Sequence, residues 1–143
     1  MKYYFAYGSN LNHDHMKFRC PGSKFVGTMT LSGWELVFRS VADISENKDK
    51  EVKGGLYFIT EKCETALDIY EGFPHLYNKG YMNVNLDGKE EEVMTYIMND
   101  RSYLYGPSKS YLETIVQGYL DCKLPLDQLE NAVIKSKGVN YEE

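Results

Sequence analysis

Two short segments of this chain carry residues whose types and spacing suit acid–base chemistry on a small acidic substrate. The first is YGSNL at residues 7–11, which closes an apolar run. Because Gly8 has no side chain and unpaired N–H groups gather where a helix begins, this turn is expected to bind an anion. The second is LDIYEG at residues 67–72, which places Glu71 at the end of a predicted helix. Together the segments predict a carboxyl group that works beside an anion-binding turn.

The position of Glu71 predicts that its pKa is raised. The C-terminal end of a helix carries partial negative charge, which disfavours a carboxylate there by about 0.3–1 kcal/mol. Asp68 lies one turn earlier and adds a like charge, and burial would act in the same direction. Such a group can take up and return a proton near neutral pH. On these residues alone, two alternatives stay open: a solvated carboxylate at a helix end, and Ser9 as an ordinary helix cap.

The composition limits the class of protein. The chain has 143 residues, 43% hydrophobic and 26% charged, as expected for one globular domain over residues 1–143. A net charge of −5 with scattered basic residues argues against a nucleic-acid partner. No apolar stretch approaches the roughly 20 residues that span a bilayer, so no membrane segment is expected. Cys20, Cys63 and Cys122 lack metal or redox spacing, which predicts reduced thiols and a cytoplasmic location.

Hydrophobic periodicity predicts an α+β fold with a strongly curved or closed sheet and peripheral helices. Strands are predicted at residues 2–8, 24–31, 34–40, 54–59, 80–86 and 89–98. Helices are predicted at residues 11–18, 61–71, 109–122 and 126–137. Ser9 or Asn10 is expected to cap the first helix, Thr60 the second and Ser108 the third, with Gly72 ending the second. The pairs Ser32-Gly33 and Asp87-Gly88 are predicted to be tight turns, and the charged residues 43–53 an exposed loop.

Other candidate sites are weaker. His13 and His15 flank Asp14, but alternate residues of a helix point to different sides, and no second cluster completes a metal site. No serine or cysteine lies in a recognisable nucleophile motif. Tyr77, Tyr96 and Tyr111, judged singly, are predicted to be core or rim aromatics.

The two segments also carry a resemblance. FAYGSNL at residues 5–11 closely resembles the opening of the γ-glutamylcyclotransferase-like family, and LDxxEG at residues 67–72 is similar to the segment that carries that family's catalytic glutamate. The order of elements also matches, with a Gly-Gly strand before the helix, a hairpin that contains Tyr96 and a late helix with Tyr111 near its start. The resemblance covers nearly the whole chain. FPHLY at residues 73–77 departs from the glutathione-pathway enzymes and is closer to the broad AIG2-like branch.

The resemblance implies a small mixed β-barrel with helices packed outside. It implies a lyase-type reaction without metal or organic cofactor, in which a γ-glutamyl amine or peptide cyclises to 5-oxoproline and releases a free amine. Glu71 resembles the family's general acid/base. The implied substrate-binding residues are Tyr4, Phe5, Ala6, Tyr7, Gly8, Ser9, Asn10 and Tyr111. The expected partner is a small γ-glutamyl substrate, and the many aromatic residues leave a homodimer open.

Two alternatives stay open at this point. The first is a non-catalytic module that binds ligands or partners on the same fold. The second is removal of a γ-glutamyl protecting group from a carrier-bound intermediate, in which the predicted loop at residues 43–53 would touch the carrier.

Overall fold

Five strands and four α-helices make up residues 1–141, the part of the chain that this computed structural model describes. The strands are β1 (Lys2–Ala6), β2 (Lys24–Arg39), β3 (Val41–Ile59), β4 (Tyr77–Leu86) and β5 (Lys89–Met98). The helices are α1 (His13–Arg19), α2 (Glu61–Glu71), α3 (Lys109–Cys122) and α4 (Asp127–Lys135), and a short 3-10 turn covers Ser9–Leu11. The predicted α+β class is confirmed.

Strand β1 lies in the middle of a sheet of order β2-β3-β1-β5-β4. It pairs antiparallel with β3 and parallel with β5, and the other neighbours are antiparallel. Tyr4, Phe5 and Ala6 are all buried, as expected for a short apolar strand covered on both faces. The turn that follows β1 therefore starts from the centre of the fold.

The word barrel, predicted for this fold, describes the sheet only loosely, because the sheet of the described residues is not closed. The outer strands β2 and β4 face each other across a cleft of about 1010 Å³, with Val26 and Leu31 on one side and Met82 and Asn85 on the other. A closed barrel needs a hydrogen-bonded ladder between its first and last strands. No such ladder joins β2 to β4 within residues 1–141, so the sheet is open along this seam.

The predicted exposed loop at residues 43–53 is wrong, because these residues belong to β3. Strands β2 and β3 form one long hairpin that turns at Ser40, whose φ of 61° is left-handed. Ile44 and Val52 are completely buried, while the charged side chains between them point mostly to solvent. Charge in this segment reflects a solvated strand face rather than a loop.

The predicted turn at Ser32-Gly33 is also wrong. Gly33 has a φ of 87° and lies at a shift of register between Ser32 and Trp34, so β2 continues through it. A glycine of this kind inside a strand forms a bulge, which bends the strand without reversing it. The second predicted turn, Asp87-Gly88, is confirmed between β4 and β5.

The first helix begins later than predicted. The 3-10 turn takes up residues 9–11, and Asn12, rather than Ser9 or Asn10, caps α1 by accepting a hydrogen bond from the His15 N–H at 3.1 Å. A side-chain oxygen at this position satisfies an N–H group of the first helical turn. Ser9 and Asn10 are thereby left for other contacts.

The predicted ends of α2 and α3 are confirmed. Thr60 caps α2, and Gly72 ends it in the left-handed conformation, with φ 66°. Ser108 caps α3 through the N–H of Tyr111. These caps fix the positions of Glu71, which is the last residue of α2, and Tyr111, which lies in the first turn of α3. No helix within the described residues is long and apolar enough to cross a bilayer.

Candidate active site

A small cavity lies where the turn after β1 meets the C-terminal end of α2. Its lining consists of Tyr4, Tyr7, Gly8, Ser9, Asn10, Ala42, Glu71, Tyr77, Tyr96 and Tyr111. The structure thus brings Glu71 and the turn at residues 7–10 together. The cavity volume is about 20 Å³, which holds about one water molecule. Its walls must move apart before a larger molecule can enter.

The predicted rise in the pKa of Glu71 is confirmed, but its main cause is burial. The residue is partly exposed, yet protein surrounds its carboxyl group, and this desolvation raises the pKa to about 7, while the nearby Arg19 guanidinium acts in the opposite direction. Among residues 1–141 the carboxylate takes part in no hydrogen bond or salt bridge. A proton can therefore bind and leave Glu71 near neutral pH.

The sequence predicts that repulsion between Asp68 and Glu71 raises the pKa of Glu71, but this repulsion does not contribute. One oxygen of Asp68 accepts a hydrogen bond from the Tyr96 hydroxyl at 2.6 Å, and the other lies 3.0 Å from the Lys79 ammonium. The positive charge of Lys79 offsets the negative charge of Asp68. Burial is therefore the dominant effect on the pKa of Glu71.

Position 8 needs a glycine because Ala42 and Tyr111 approach its Cα closely, and not because its φ angle is unusual. Its φ of −124° is open to any residue. A Cβ atom there would lie 3.1 Å from the Cβ of Ala42 and 3.5 Å from the Tyr111 hydroxyl. The glycine therefore lets the turn, the β2–β3 hairpin and α3 meet at the cavity.

The turn offers N–H groups to a ligand. The N–H groups of Ser9 and Asn10 donate to no backbone carbonyl within residues 1–141, whereas those of Leu11 and Asn12 already close the 3-10 turn. Successive free N–H groups bind carboxylates or oxyanions. This arrangement supplies the donors that the sequence predicts, although it comes from a 3-10 turn instead of the start of α1.

Asn10 fixes the shape of the turn. Its amide nitrogen donates to the Tyr4 hydroxyl at 3.0 Å, its amide oxygen accepts from Arg19, and its backbone carbonyl accepts from the Tyr57 hydroxyl at 3.0 Å. Arg19 also stacks on the ring of Tyr70, with the guanidinium carbon 3.5 Å from the ring centroid. With three partners, the side chain and carbonyl of Asn10 hold the turn in one conformation.

Tyrosine hydroxyls hold the opposite wall. Tyr77 donates to the carbonyl of Ala42, and the Ala42 N–H donates to the Tyr111 hydroxyl at 3.1 Å. Tyr7 donates to the carbonyl of Tyr96 at 2.6 Å. Burial raises the pKa of all of these phenols, so they stay neutral at pH 7 and Glu71 is the one lining group that titrates there.

Three lining residues lie outside the site that the sequence predicts. Tyr77 and Tyr96 face the cavity, but a tyrosine near an apolar run gives no sequence signal that separates a pocket from a core. Ala42 contributes through its backbone, which no motif marks. Phe5 and Ala6 are buried beside the cavity without lining it.

Comparison with known proteins shows the family and the fold. The sequence model of the family described as gamma-glutamyl cyclotransferase, AIG2-like, matches residues 4–115. A solved structure named gamma-glutamyl cyclotransferase is 26% identical, with 97% of this chain and 88% of that chain covered and a TM-score of 0.78. An uncharacterized protein from Homo sapiens is also 26% identical, with the same coverage and a TM-score of 0.77.

More distant structures share the fold alone. YkqA from Bacillus subtilis is 21% identical, with 96% of this chain but 55% of that chain covered and a TM-score of 0.78. No curated protein sequence matches significantly. The family match spans most of the chain, including both Glu71 and the turn at residues 7–10. The chain therefore belongs to the AIG2-like γ-glutamyl cyclotransferase family.

Proposed function

We propose that this protein cyclises a γ-glutamyl amine or peptide to 5-oxoproline and releases the free amine, with Glu71 as general acid and base. The observation that carries the proposal is a carboxyl group with a pKa of about 7, without hydrogen bonds from residues 1–141, in the same cavity as the free N–H groups of Ser9 and Asn10. A solvated carboxylate at a helix end would lack both features.

The first step is proton removal. The α-ammonium of the substrate gives a proton to ionised Glu71, and the neutral amine then attacks the γ-carbonyl carbon. Because the substrate supplies its own nucleophile, no serine or cysteine of the protein is required. A pKa near 7 suits this role, since Glu71 is partly ionised at neutral pH and still basic enough to take the proton.

Ring closure places a negative charge on the γ-oxygen, and the N–H groups of Ser9 and Asn10 are the donors that can stabilise it. The carbonyl then re-forms as the bond to the leaving nitrogen breaks. Overall the attacking nitrogen loses two protons, and the departing amine, which leaves as an ammonium ion, gains two through Glu71. Once the tyrosine-lined walls have moved apart to admit the substrate, they can hold the glutamyl chain folded, which lowers the entropic cost of closure.

The test is release of 5-oxoproline from a panel of γ-glutamyl amino acids, peptides and amines. Glu71→Gln should lower kcat/KM at pH 7 by roughly 10²–10⁴-fold with no loss of thermal stability. Glu61→Gln, at the exposed start of the same helix, is the matched control and should keep full activity. Normal turnover by Glu71→Gln would overturn the mechanism. Tight binding of the panel without any product would instead favour the non-catalytic module.

The carrier-directed alternative would have to use the solvent-facing side of β3, because residues 43–53 form part of that strand and not the predicted loop. No specific contact among the described residues favours it.

A further inference from the structure

Two cysteines far apart in the sequence come together at the junction of α1 and α2. Cys20 is the residue that ends α1, and Cys63 lies in the first turn of α2. The Cys20 thiol donates to the carbonyl oxygen of Cys63 at 3.5 Å, which places the two residues side by side. Both are free and buried. The fold therefore creates a dithiol that the spacing in the sequence does not reveal.

Cys63 lies in a polar environment at the start of α2. Its backbone N–H donates to the Thr60 hydroxyl at 3.1 Å, and hydrogen bonding with Thr60, Cys20 and Gly22 acts on its thiol. Burial by itself would raise the pKa of Cys63, but these hydrogen bonds outweigh it and lower the pKa below its usual value. The first turn of a helix further favours a thiolate.

Cys20 is the less acidic thiol of the two. Burial and the adjacent Cys63 raise its pKa to about 12, so it stays protonated while Cys63 is the more acidic of the pair. Sensor cysteines combine an acidic thiol with a second thiol within reach.

Small molecules can approach the pair from the side of Cys20. A surface cavity of about 240 Å³ is lined by Cys20 together with Met16, Pro21 and Tyr57. The buried sulfur of Cys63 lies beside the exposed turn at Pro21-Gly22, since a Cβ on Gly22 would lie 3.9 Å from it.

We propose that Cys63 and Cys20 form an oxidation site that reacts with hydroperoxides and closes to a disulfide. The Cys63 thiolate attacks the peroxide oxygen, which breaks the O–O bond and leaves a sulfenic acid and one water or alcohol. The Cys20 sulfur then attacks the sulfenic sulfur, and the hydroxyl group leaves as water. Two thiols and one hydroperoxide thus give one disulfide and its reduced products, and thiol reductants reverse the reaction.

The disulfide would join two helices that carry residues of the cavity region. Arg19 directly precedes Cys20, and α2 runs from the Cys63 turn to Glu71. The oxidation site does not depend on the proposed reaction of Glu71, and it can be tested without a γ-glutamyl substrate.

The experiment treats the reduced full-length protein with hydrogen peroxide, followed by removal of the peroxide, thiol titration and peptide mass mapping. The native protein should drop from three titratable thiols to one, with a Cys20–Cys63 disulfide that dithiothreitol reverses. Cys122→Ser should form the same disulfide. In Cys20→Ser, a dimedone-type reagent should label Cys63 as a sulfenic acid, and Cys63 should react at least about 10-fold faster than Cys122.

Cys122 is the chain's own control, because it is also buried and free, and burial and Asp121 raise its pKa to about 11. Equal oxidation of all three cysteines would overturn the proposal. So would a disulfide between two molecules only, or a native dithiol that resists peroxide while the denatured chain reacts. The mapping of the unmodified chain decides the matter even where a serine variant does not fold.

Discussion

The hydroxyl oxygens of Ser9 and Tyr70 lie 2.9 Å apart, and this contact joins the turn after β1 to the last turn of α2. Tyr70 directly precedes Glu71, so the hydrogen bond ties the turn to the residue next to the carboxyl group. Arg19 packs on the face of the Tyr70 ring. The closeness of the acid and the donors is therefore a property of side chains outside the cavity as well as in it.

Burial of Glu71 should make the protein less stable at high pH. The folded-state pKa of about 7 is above the usual value of 4.5, so the folded protein binds this proton more tightly than the unfolded chain. Stability is then full below about pH 4.5 and falls as the pH rises through about 7. Glu71→Gln removes this cost and should be more stable than the native protein at pH 8, on the order of 2 kcal/mol.

Urea unfolding at pH 5 and pH 8 measures this effect. The gain from Glu71→Gln should be small at pH 5 and large at pH 8. A gain of equal size at both values would show that burial does not hold the proton on Glu71.

A methyl group at Gly8 should close the cavity while the fold survives. The added Cβ meets Ala42 at 3.1 Å and the Tyr111 hydroxyl at 3.5 Å, so the neighbours must yield by a few tenths of an ångström. Gly8→Ala should cost about 1–2 kcal/mol of stability and lower kcat/KM for γ-glutamyl substrates by about 10-fold or more. Gly22→Ala, whose Cβ meets only the Cys63 sulfur at 3.9 Å, is the matched control. Unchanged activity in Gly8→Ala would argue that the ligand binds elsewhere.

The sequence predicts the helix ends well, because local chemistry determines them. Thr60, Gly72 and Ser108 act through their own neighbours in the chain, so their residue types are sufficient to predict caps. The position of Glu71 follows from such a cap.

Residues that act through long-range packing could not be predicted in this way. Whether the segment at 43–53 is a loop or a strand depends on pairing with β2, and alternation in a charged strand resembles a charged loop. Ala42 contributes its backbone N–H and carbonyl to hydrogen bonds, at a hairpin that turns at Ser40. Closure of the barrel depends on whether β2 and β4 pair, and neither strand encodes this alone.

Removal of the Arg19 charge should raise the pKa of Glu71 further. Burial is the larger influence on this carboxyl group, and Arg19 is the charge that opposes it. In Arg19→Met, an NMR titration of the Glu71 side chain should therefore move to higher pH, and the acid limb of the kcat/KM profile should move with it. Lys17→Met removes an exposed charge from the same helix and should leave the titration in place. A titration that stays unchanged in Arg19→Met would mean that solvent screens this charge.

The buried ion pair behind Ala42 should be far more important for stability than a surface pair. Arg39 Nε lies 2.8 Å from Asp43, both side chains are almost fully buried, and Asp43 also accepts the N–H of Met98 at 3.0 Å. Asp43→Asn leaves the Arg39 charge without compensation and should cost about 3–5 kcal/mol. The control is Glu35→Gln, which breaks the partly exposed pair with Lys135 and should cost about 1 kcal/mol or less. Urea unfolding at pH 7 measures both, and equal losses would mean that the hairpin tip is held mainly by its backbone pairing with β2.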